Sequence, residues 1–159
     1  MEMNKELQTL MDIEAIKQLK YNYADICDDF HNPDRICSVF TPDGSWEGGE
    51  AFGNGYGHEG IRELFTQFGK NMDFTQHNMF NPMISVNGDT AKGHWYLFGC
   101  FRARGGKDMI LSGEYFDNYV KVGGIWLYKN LIFKARVWVP REEGWKDSLI
   151  KMPFEINKQ

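Results

Sequence analysis

The sequence lacks the marks of several functional classes. No apolar run approaches the roughly 20 residues that a membrane-spanning helix needs, so no membrane span is expected. The 18 Lys and Arg residues stand against 22 Asp and Glu, a net charge of −4, and form no basic block. Nucleic acid is therefore not an expected partner, because phosphate binding needs clustered cations. The three cysteines, Cys27, Cys37 and Cys100, are scattered and form no CxxC pair. Reduced thiols in a cytoplasm fit this pattern better than a disulfide framework. The opening stretch "MEMNKELQTLMDIEAIKQLK" is charged throughout and has no apolar segment of the signal-peptide kind. The four histidines, His31, His58, His77 and His94, show no HxxxH or HExxH spacing, so no metal is expected. The glycines of "GNGYGHEG" lack the strand–GxGxxG–helix context and a GK[ST], which leaves them to a flexible loop and not to a phosphate. There is no GxSxG elbow, and Cys100 in an apolar strand reads as core.

What is present is an apolar share of 42% with 15% aromatic residues, enough for one packed core and a ring-lined interior. No linker, repeat or low-complexity tract interrupts residues 1–159, which are read as one domain. "MDIEAIKQLKYNYADICDDF" predicts a helix, since Ile13, Ile16, Leu19, Tyr23 and Ile26 recur at three- and four-residue steps. Asn32-Pro33-Asp34 breaks it and caps a short second helix, "DRICSVF". "TPDG" reads as a turn, "SWEGG" as a short strand, "NGYGHEG" as a loop, and "HEGIRELFTQFGK" as a third helix with Ile61, Leu64, Phe65 and Phe68 on its apolar face. The period then changes to two. "QHNMFNPMISV", "TAKGHWYLFGCFRA", "MILSGEYFDNYVKV" and "IWLYKNLIFKARVWV" predict four long strands, with Asn87-Gly88-Asp89 and Gly123-Gly124 as tight connections. Pro82 inside a strand predicts an edge or a bulge. Helices first and a meander afterwards predict α+β architecture, a strongly curved antiparallel sheet wrapped over helices with an internal cavity between them.

Chemistry in such a chain centres on His77 and the acidic end of the first helix, "YNYADICDD". Imidazole exchanges protons near neutral pH. A carboxylate behind it fixes its tautomer and favours the protonated form. Tyr21 and Tyr23 offer phenolic donors to a developing oxyanion. Arg136 could pair with a carboxylate or polarise a carbonyl; flanked by Ala135 and Val137, its side chain has either face open to it. A structural histidine and a solvated acidic helix face are the plain alternatives. Asp28 lies roughly 140° from Tyr23 at ~100° per residue, off the apolar stripe, and can face a cavity only where the helix ends. Phe40, Trp46, Phe65, Phe68, Met79, Trp95 and Tyr115 are candidate cavity walls, each equally suited to an ordinary core.

The segments "DIEAIKQLKYNYADICDDF", "FTPDGSWEGG", "GHEGIRELF", "HNMFNPMISVNGDTAKGHWYLFG" and "GEYFDNYVKVGGIWLYKNLIF", in this order over nearly the whole chain, resemble the SnoaL-like branch of the nuclear transport factor 2 superfamily. The resemblance is nearest to the group of scytalone dehydratase, hexachlorocyclohexane dehydrochlorinase and bile-acid 7α-dehydratase. It implies a cone-shaped, cystatin-like fold. It also implies a cofactor-independent lyase that eliminates water or halide from a small hydrophobic, ring-containing substrate. The shared Asp of that group falls on Asp28, the shared His on His77, a helix tyrosine on Tyr23, and a late-strand arginine near Arg136, one residue further from Trp126 than in the bile-acid enzyme. The acidic residue that follows "WYL" in that enzyme meets Phe98-Gly99 here and has no counterpart. The resemblance also allows an isomerase or aldol-type lyase with the same pair. It allows a non-catalytic subunit like the small subunit of aromatic-ring dioxygenases as well. It implies a homo-oligomer, a trimer before a dimer, which suits strand residues that are large on both faces: Trp95, Leu97 and Gly99 on one, Tyr96, Phe98 and Cys100 on the other. The tail 140–159 carries isolated Trp145, Leu149, Met152 and Phe154 and is expected to close over the cavity or onto a neighbouring subunit.

Overall fold

The computed structural model describes residues 4–145 and 149–150. Helix α1 runs Lys5–Asp28 and starts where the Asn4 side chain accepts the Glu6 N–H, satisfying a donor the first turn leaves free. Ile16, Leu19, Tyr23 and Ile26 are buried as one stripe. The stripe is wider than its apolar residues foretell, because Lys20 and Cys27 are buried with it. Helix α2 (Pro33–Ile36) is capped by Asn32, whose Oδ1 accepts the N–H groups of Asp34 and Arg35, and it tightens into a 3₁₀ turn at Cys37–Val39. Strand β1 (Phe40–Glu47), helix α3 (Gly49–Phe52), strand β2 (Asn54–Tyr56) and helix α4 (Gly57–Asn71) follow. The "TPDG" stretch is thus part of an irregular strand, and most of "NGYGHEG" is β2 and the first turn of α4. Four long strands complete the chain: β3 (Met72–Asn87), β4 (Thr90–Ala103), β5 (Lys107–Val122) and β6 (Ile125–Pro140).

The sheet order is β2-β1-β6-β5-β4-β3. The architecture is α+β, with the helices against a curved open sheet. One correction applies: β1 pairs parallel with β6, while the other pairings are antiparallel. Register shifts between Phe80 and Met83, Ser112 and Gly113, and Asn118 and Tyr119 add local twist and bend. Pro82 sits in the first of these, on the edge strand β3, where its missing N–H costs no ladder bond.

Along β4, Trp95, Leu97, Phe101 and Ala103 are buried on the helix side. Tyr96 is half-buried on the other side, and Phe98 and Cys100 are exposed there, so Cys100 is not a core residue. Beneath the helices lies a polar cluster that no periodicity announced. Lys20 Nζ donates to Asp117 Oδ2 at 2.9 Å, Tyr119 Oη donates to the same oxygen at 2.6 Å, and Trp95 Nε1 donates to Tyr119 Oη at 3.0 Å. The ammonium also stands 3.6 Å from the centroid of the Tyr115 ring, a cation–π contact. Both side chains of the ion pair are wholly inaccessible. Burial lowers the Lys20 pKa and raises that of Asp117, each opposed by the charge of the other. Among the described residues, no helix is long and apolar enough to cross a membrane.

Candidate active site

The site forms where the end of α1 meets the free edge of β3. An edge strand leaves alternate N–H groups without a ladder partner. The Asp28 carboxylate supplies one: both of its oxygens accept the His77 N–H, at 3.1 and 3.0 Å. The same carboxylate holds the ring, with Asp28 Oδ1 at 2.6 Å from His77 Nδ1. A carboxylate only accepts, so Nδ1 carries the hydrogen and Nε2 the lone pair. Beside it, Thr75 Oγ1 donates to the Cys27 carbonyl and pins the two elements together. The helical-wheel objection to Asp28 is met by geometry. α1 ends at Asp28, and the edge strand comes to the carboxylate. Asp28 stands outside the pocket wall, 31% exposed at its side chain, whereas the His77 side chain is 5% exposed and faces the pocket.

That pocket is almost wholly aromatic. Of the expected wall residues, Trp46, Phe65, Phe68 and Tyr115 line it, and so does Tyr23, the expected phenolic donor. Trp46 Nε1 donates to Tyr23 Oη at 2.8 Å, and burial pushes the Tyr23 phenol well above its usual pKa, so it is a neutral phenol. In the same lining His77 meets the Phe101 ring edge-on at 4.9 Å. This contact needs glycine at the position paired with His77: a Cβ on Gly99 would lie 2.3 Å from the Gln76 carbonyl oxygen and 2.5 Å from the Phe101 ring. The pocket volume is about 50 Å3, room for a few water molecules at ~10–15 Å3 each. A ring-sized guest requires its aromatic walls to part.

Five expected site residues lie elsewhere. Arg136 is exposed and absent from the pocket wall: the register shift between Asn118 and Tyr119 moves the inward phase of β6 from Trp126 and Tyr128 to Leu131 and Phe133, which turns Arg136 outward, between half-buried Ala135 and Val137, and the second shift, between Ser112 and Gly113, falls at Arg136 itself. Tyr21 is 46% exposed, touching Trp95 from outside the pocket; it is two residues from Tyr23 and so on another side of the helix. Phe40 is core, packed on Tyr128. Trp95 is core, held by its bond to Tyr119. Met79 is half-buried against the core and does not reach the pocket. Other wall residues went unnamed. Phe101 continues the inward phase of Trp95, Leu97 and Gly99, and Leu111 continues that of Tyr115. Extending each strand's alternation would have found them. Phe133 and Trp138 on β6 straddle the shift that hides their common face. Trp138 also accepts the returning chain: its N–H bonds the Leu149 carbonyl and it bridges to Ile150. The expected lid residues Trp145 and Leu149 are exposed; Met152 and Phe154 lie outside the described residues.

His31 is the larger omission. It is buried on the pocket wall, its ring 5.6 Å from that of His77 and edge-on. Burial first, and the neighbouring His77 second, hold its pKa well below the usual histidine value, so it is a neutral imidazole. Donor atoms of Cys27, His31 and His77 come within 4.8 Å of one another. Burial pushes the Cys27 thiol up and keeps it protonated, which suits a core residue better than a thiolate ligand.

Residues 8–132 match the SnoaL-like domain model. The chain belongs to the SnoaL-like domain family. Solved structures of similar proteins include one from Novosphingobium aromaticivorans provisionally named an aromatic ring hydroxylase. It is 26% identical over 84% of this chain and 96% of its own, with a TM-score of 0.77. A second protein of that bacterium, provisionally named a scytalone dehydratase, is 23% identical over 83% of this chain and 89% of its own, with a TM-score of 0.76. A hexachlorocyclohexane dehydrochlorinase from Novosphingobium barchaimii is 19% identical over 94% of this chain and 100% of its own, with a TM-score of 0.77. These neighbours share the fold, and two of them are named for eliminations.

Proposed function

We propose that this SnoaL-like protein is a cofactor-independent lyase that removes a proton and a leaving group from a small, ring-containing, largely apolar substrate. The observation that carries the reading is the 2.6 Å contact between Asp28 Oδ1 and His77 Nδ1, on an imidazole that lines an aromatic pocket. In the mechanism, His77 Nε2 takes a proton from carbon. Asp28 keeps the reactive tautomer and stabilises the imidazolium that forms. The C–H electron pair becomes the new double bond as the leaving group departs; where this is hydroxide, the proton on His77 leaves with it as water. The Tyr23 phenol, which lines the same pocket, is a donor for developing negative charge. A purely structural clasp between helix end and edge strand needs only the two backbone bonds to Asp28. The ring bond and the pocket placement of the imidazole support a chemical role. The scytalone dehydratase-named neighbour and the dehydrochlorinase support the reaction class.

Two further features belong to this reading. Phe80, Met83, Phe98 and Phe116 are exposed apolar side chains of the sheet, which supports assembly into a homo-oligomer, a trimer before a dimer; sedimentation at micromolar concentration tests it. Three free thiols suit a reducing compartment such as the cytoplasm.

The functional test is a panel of cyclic ketones and β-hydroxy ketones in deuterated buffer. Proton abstraction appears as deuterium exchange at the acidic carbon, and elimination as a new conjugated-alkene absorbance. Wild-type protein is expected to accelerate one or both and His77→Ala neither. Equal rates for the two proteins would remove His77 as the base.

A further inference from the structure

The turn that joins α1 to α2 places its two aromatic-sized residues against their solvation preferences. Phe30 is 65% exposed, while His31 beside it is 7% exposed. Burial of phenyl and hydration of imidazole would favour the opposite arrangement. The backbone here is also strained. Phe30 and His31 have φ of 52° and 51°, in the left-handed region that bulky L-residues avoid.

Three devices hold the turn. The His31 and Asn32 N–H groups bond back to the carbonyls of Cys27 and Ile26 at 3.0 and 3.1 Å. Asn32 and Pro33 start α2 at once. Gly69 of α4 lets that helix approach so closely that a Cβ there would stand 2.3 Å from the Phe30 carbonyl oxygen. The result of this construction is an imidazole under α4, with the rings of Phe65 and Phe68 at 5.7 and 5.3 Å and that of His77 at 5.6 Å. Its Nδ1 is buried and has no hydrogen-bond partner among the described residues. A buried structural histidine is normally satisfied by such bonds. This one keeps hydrogen-bonding capacity unused on the pocket wall, and strain of this kind concentrates at functional sites.

We propose that His31 is a second catalytic residue, an uncharged hydrogen-bond donor to the substrate oxygen on which negative charge collects when His77 removes a proton. The inference rests on the elimination reading above and narrows its substrate to ring compounds bearing a carbonyl oxygen next to the acidic carbon. The rings of His77 and His31 are close enough to serve the two ends of such a unit together. The C–H bond breaks and its proton goes to His77 Nε2. The electron pair moves into the carbon framework and onto the carbonyl oxygen as an enolate, which accepts a hydrogen bond from His31. When the bond to the leaving hydroxyl breaks, the pair returns to form the alkene, the carbonyl is restored, and hydroxide leaves as water with the proton held by His77. His31 neither gains nor loses a proton, a role open to a neutral imidazole.

The test uses 4-nitrophenol, whose anion is a coloured stand-in for the enolate, against 4-nitroanisole, which has the same ring and no ionisable oxygen. Titrations compare wild type, His31→Phe, His31→Gln, His77→Ala and the His31→Phe/His77→Ala double variant, each checked for folding by near-ultraviolet circular dichroism. Wild type is expected to prefer the phenolate to the anisole. His31→Phe should weaken phenolate binding roughly 10–100-fold, the worth of one hydrogen bond to a charged acceptor, with anisole binding unchanged. His31→Gln, which keeps an N–H donor, should recover part of the loss. The same His31→Phe loss in the His77→Ala background assigns the effect to His31 and not to an imidazolium at His77. Phenolate binding that is unchanged in His31→Phe, or no phenolate preference in wild type, overturns the proposal. Failure of the base reading is separate: it appears as deuterium exchange that survives His77→Ala, whatever the phenolate titration gives.

Discussion

Two ionisable clusters sit inside the same aromatic cone and are built to opposite rules. Lys20 and Asp117 are wholly buried, paired at 2.9 Å, and backed by Tyr119, Trp95 and the face of Tyr115. The Lys20 ammonium lies against Tyr23 and Tyr115, two rings that also line the pocket. Asp28, His77 and His31 are one side solvent, one side pocket, with His31 left short of a partner. Each cluster leaves one buried atom without a partner among the described residues, Asp117 Oδ1 in the first and His31 Nδ1 in the second, but only the second borders the pocket. A buried polar atom without a partner costs stability in either place, but beside a pocket a bound molecule can supply the missing bond.

The comparison breaks most sharply in activity. With a substrate found by the exchange panel, His77→Ala is expected to lose about 10²–10⁴-fold in turnover, and Asp28→Asn to lose heavily as well, while the double variant is little worse than either, as for residues acting as a unit. Turnover within a few-fold of wild type in His77→Ala would show that the pocket cluster is structural too. The deep cluster should respond in stability instead. Asp117→Asn leaves a buried ammonium without its counter-charge and should cost about 3–5 kcal/mol in urea unfolding, with Lys20→Met/Asp117→Leu recovering part of it. A loss below about 1 kcal/mol would mean the pair contributes no specificity to the cone.

Smaller effects sharpen the boundary between the two. Gly99→Ala places a methyl against the Gln76 carbonyl and the Phe101 ring and should cost about 1–3 kcal/mol. It should also displace His77 and Phe101, so that any turnover falls further than stability does; equal melting temperatures for variant and wild type would contradict the close approach. The smallest effect is a pH slope. His31 has its folded pKa lowered by burial, so the folded protein stays neutral there where the unfolded chain takes a proton below pH ~6.5. Stability therefore falls as pH drops from that value towards the folded pKa, by at most about 1.4 kcal/mol per pH unit from this group. His31→Phe, compared with wild type by urea unfolding between pH 7.5 and pH 5.5, should lose less on acidification. Parallel slopes would mean that His31 takes up its proton equally well when folded. (The pH values are about one unit either side of the ordinary histidine range.)

The chain's one-dimensional pattern was sufficient for the scaffold. The three- and four-residue steps from Ile16 to Ile26 and the two-residue alternation of β4 are local consequences of backbone geometry, and each shows in the order of residues. Pro82 announced an irregular edge strand for the same reason, because the missing N–H is a property of the residue itself. His77 and Asp28 were legible as a pair through their residue types and a family resemblance. Their 2.6 Å contact was not, since it depends on an edge strand of the sheet meeting the last turn of a helix. Arg136 shows how local reading fails: a register shift between β5 and β6, set by pairing with another strand, moved it off the wall. Lys20 and His31 show the complementary failure. Both have residue types whose ordinary preference is water, and nothing adjacent in the sequence reverses it. Lys20 is buried because Asp117 stands 97 positions away. His31 is buried because a left-handed turn, closed against Gly69 of a distant helix, exchanges it with Phe30. The sequence by itself determined which segments coil and which extend, since those preferences lie within a few bonds of each residue. Only the tertiary structure decided which polar groups lose their water, because desolvation is a property of neighbours brought from far along the chain.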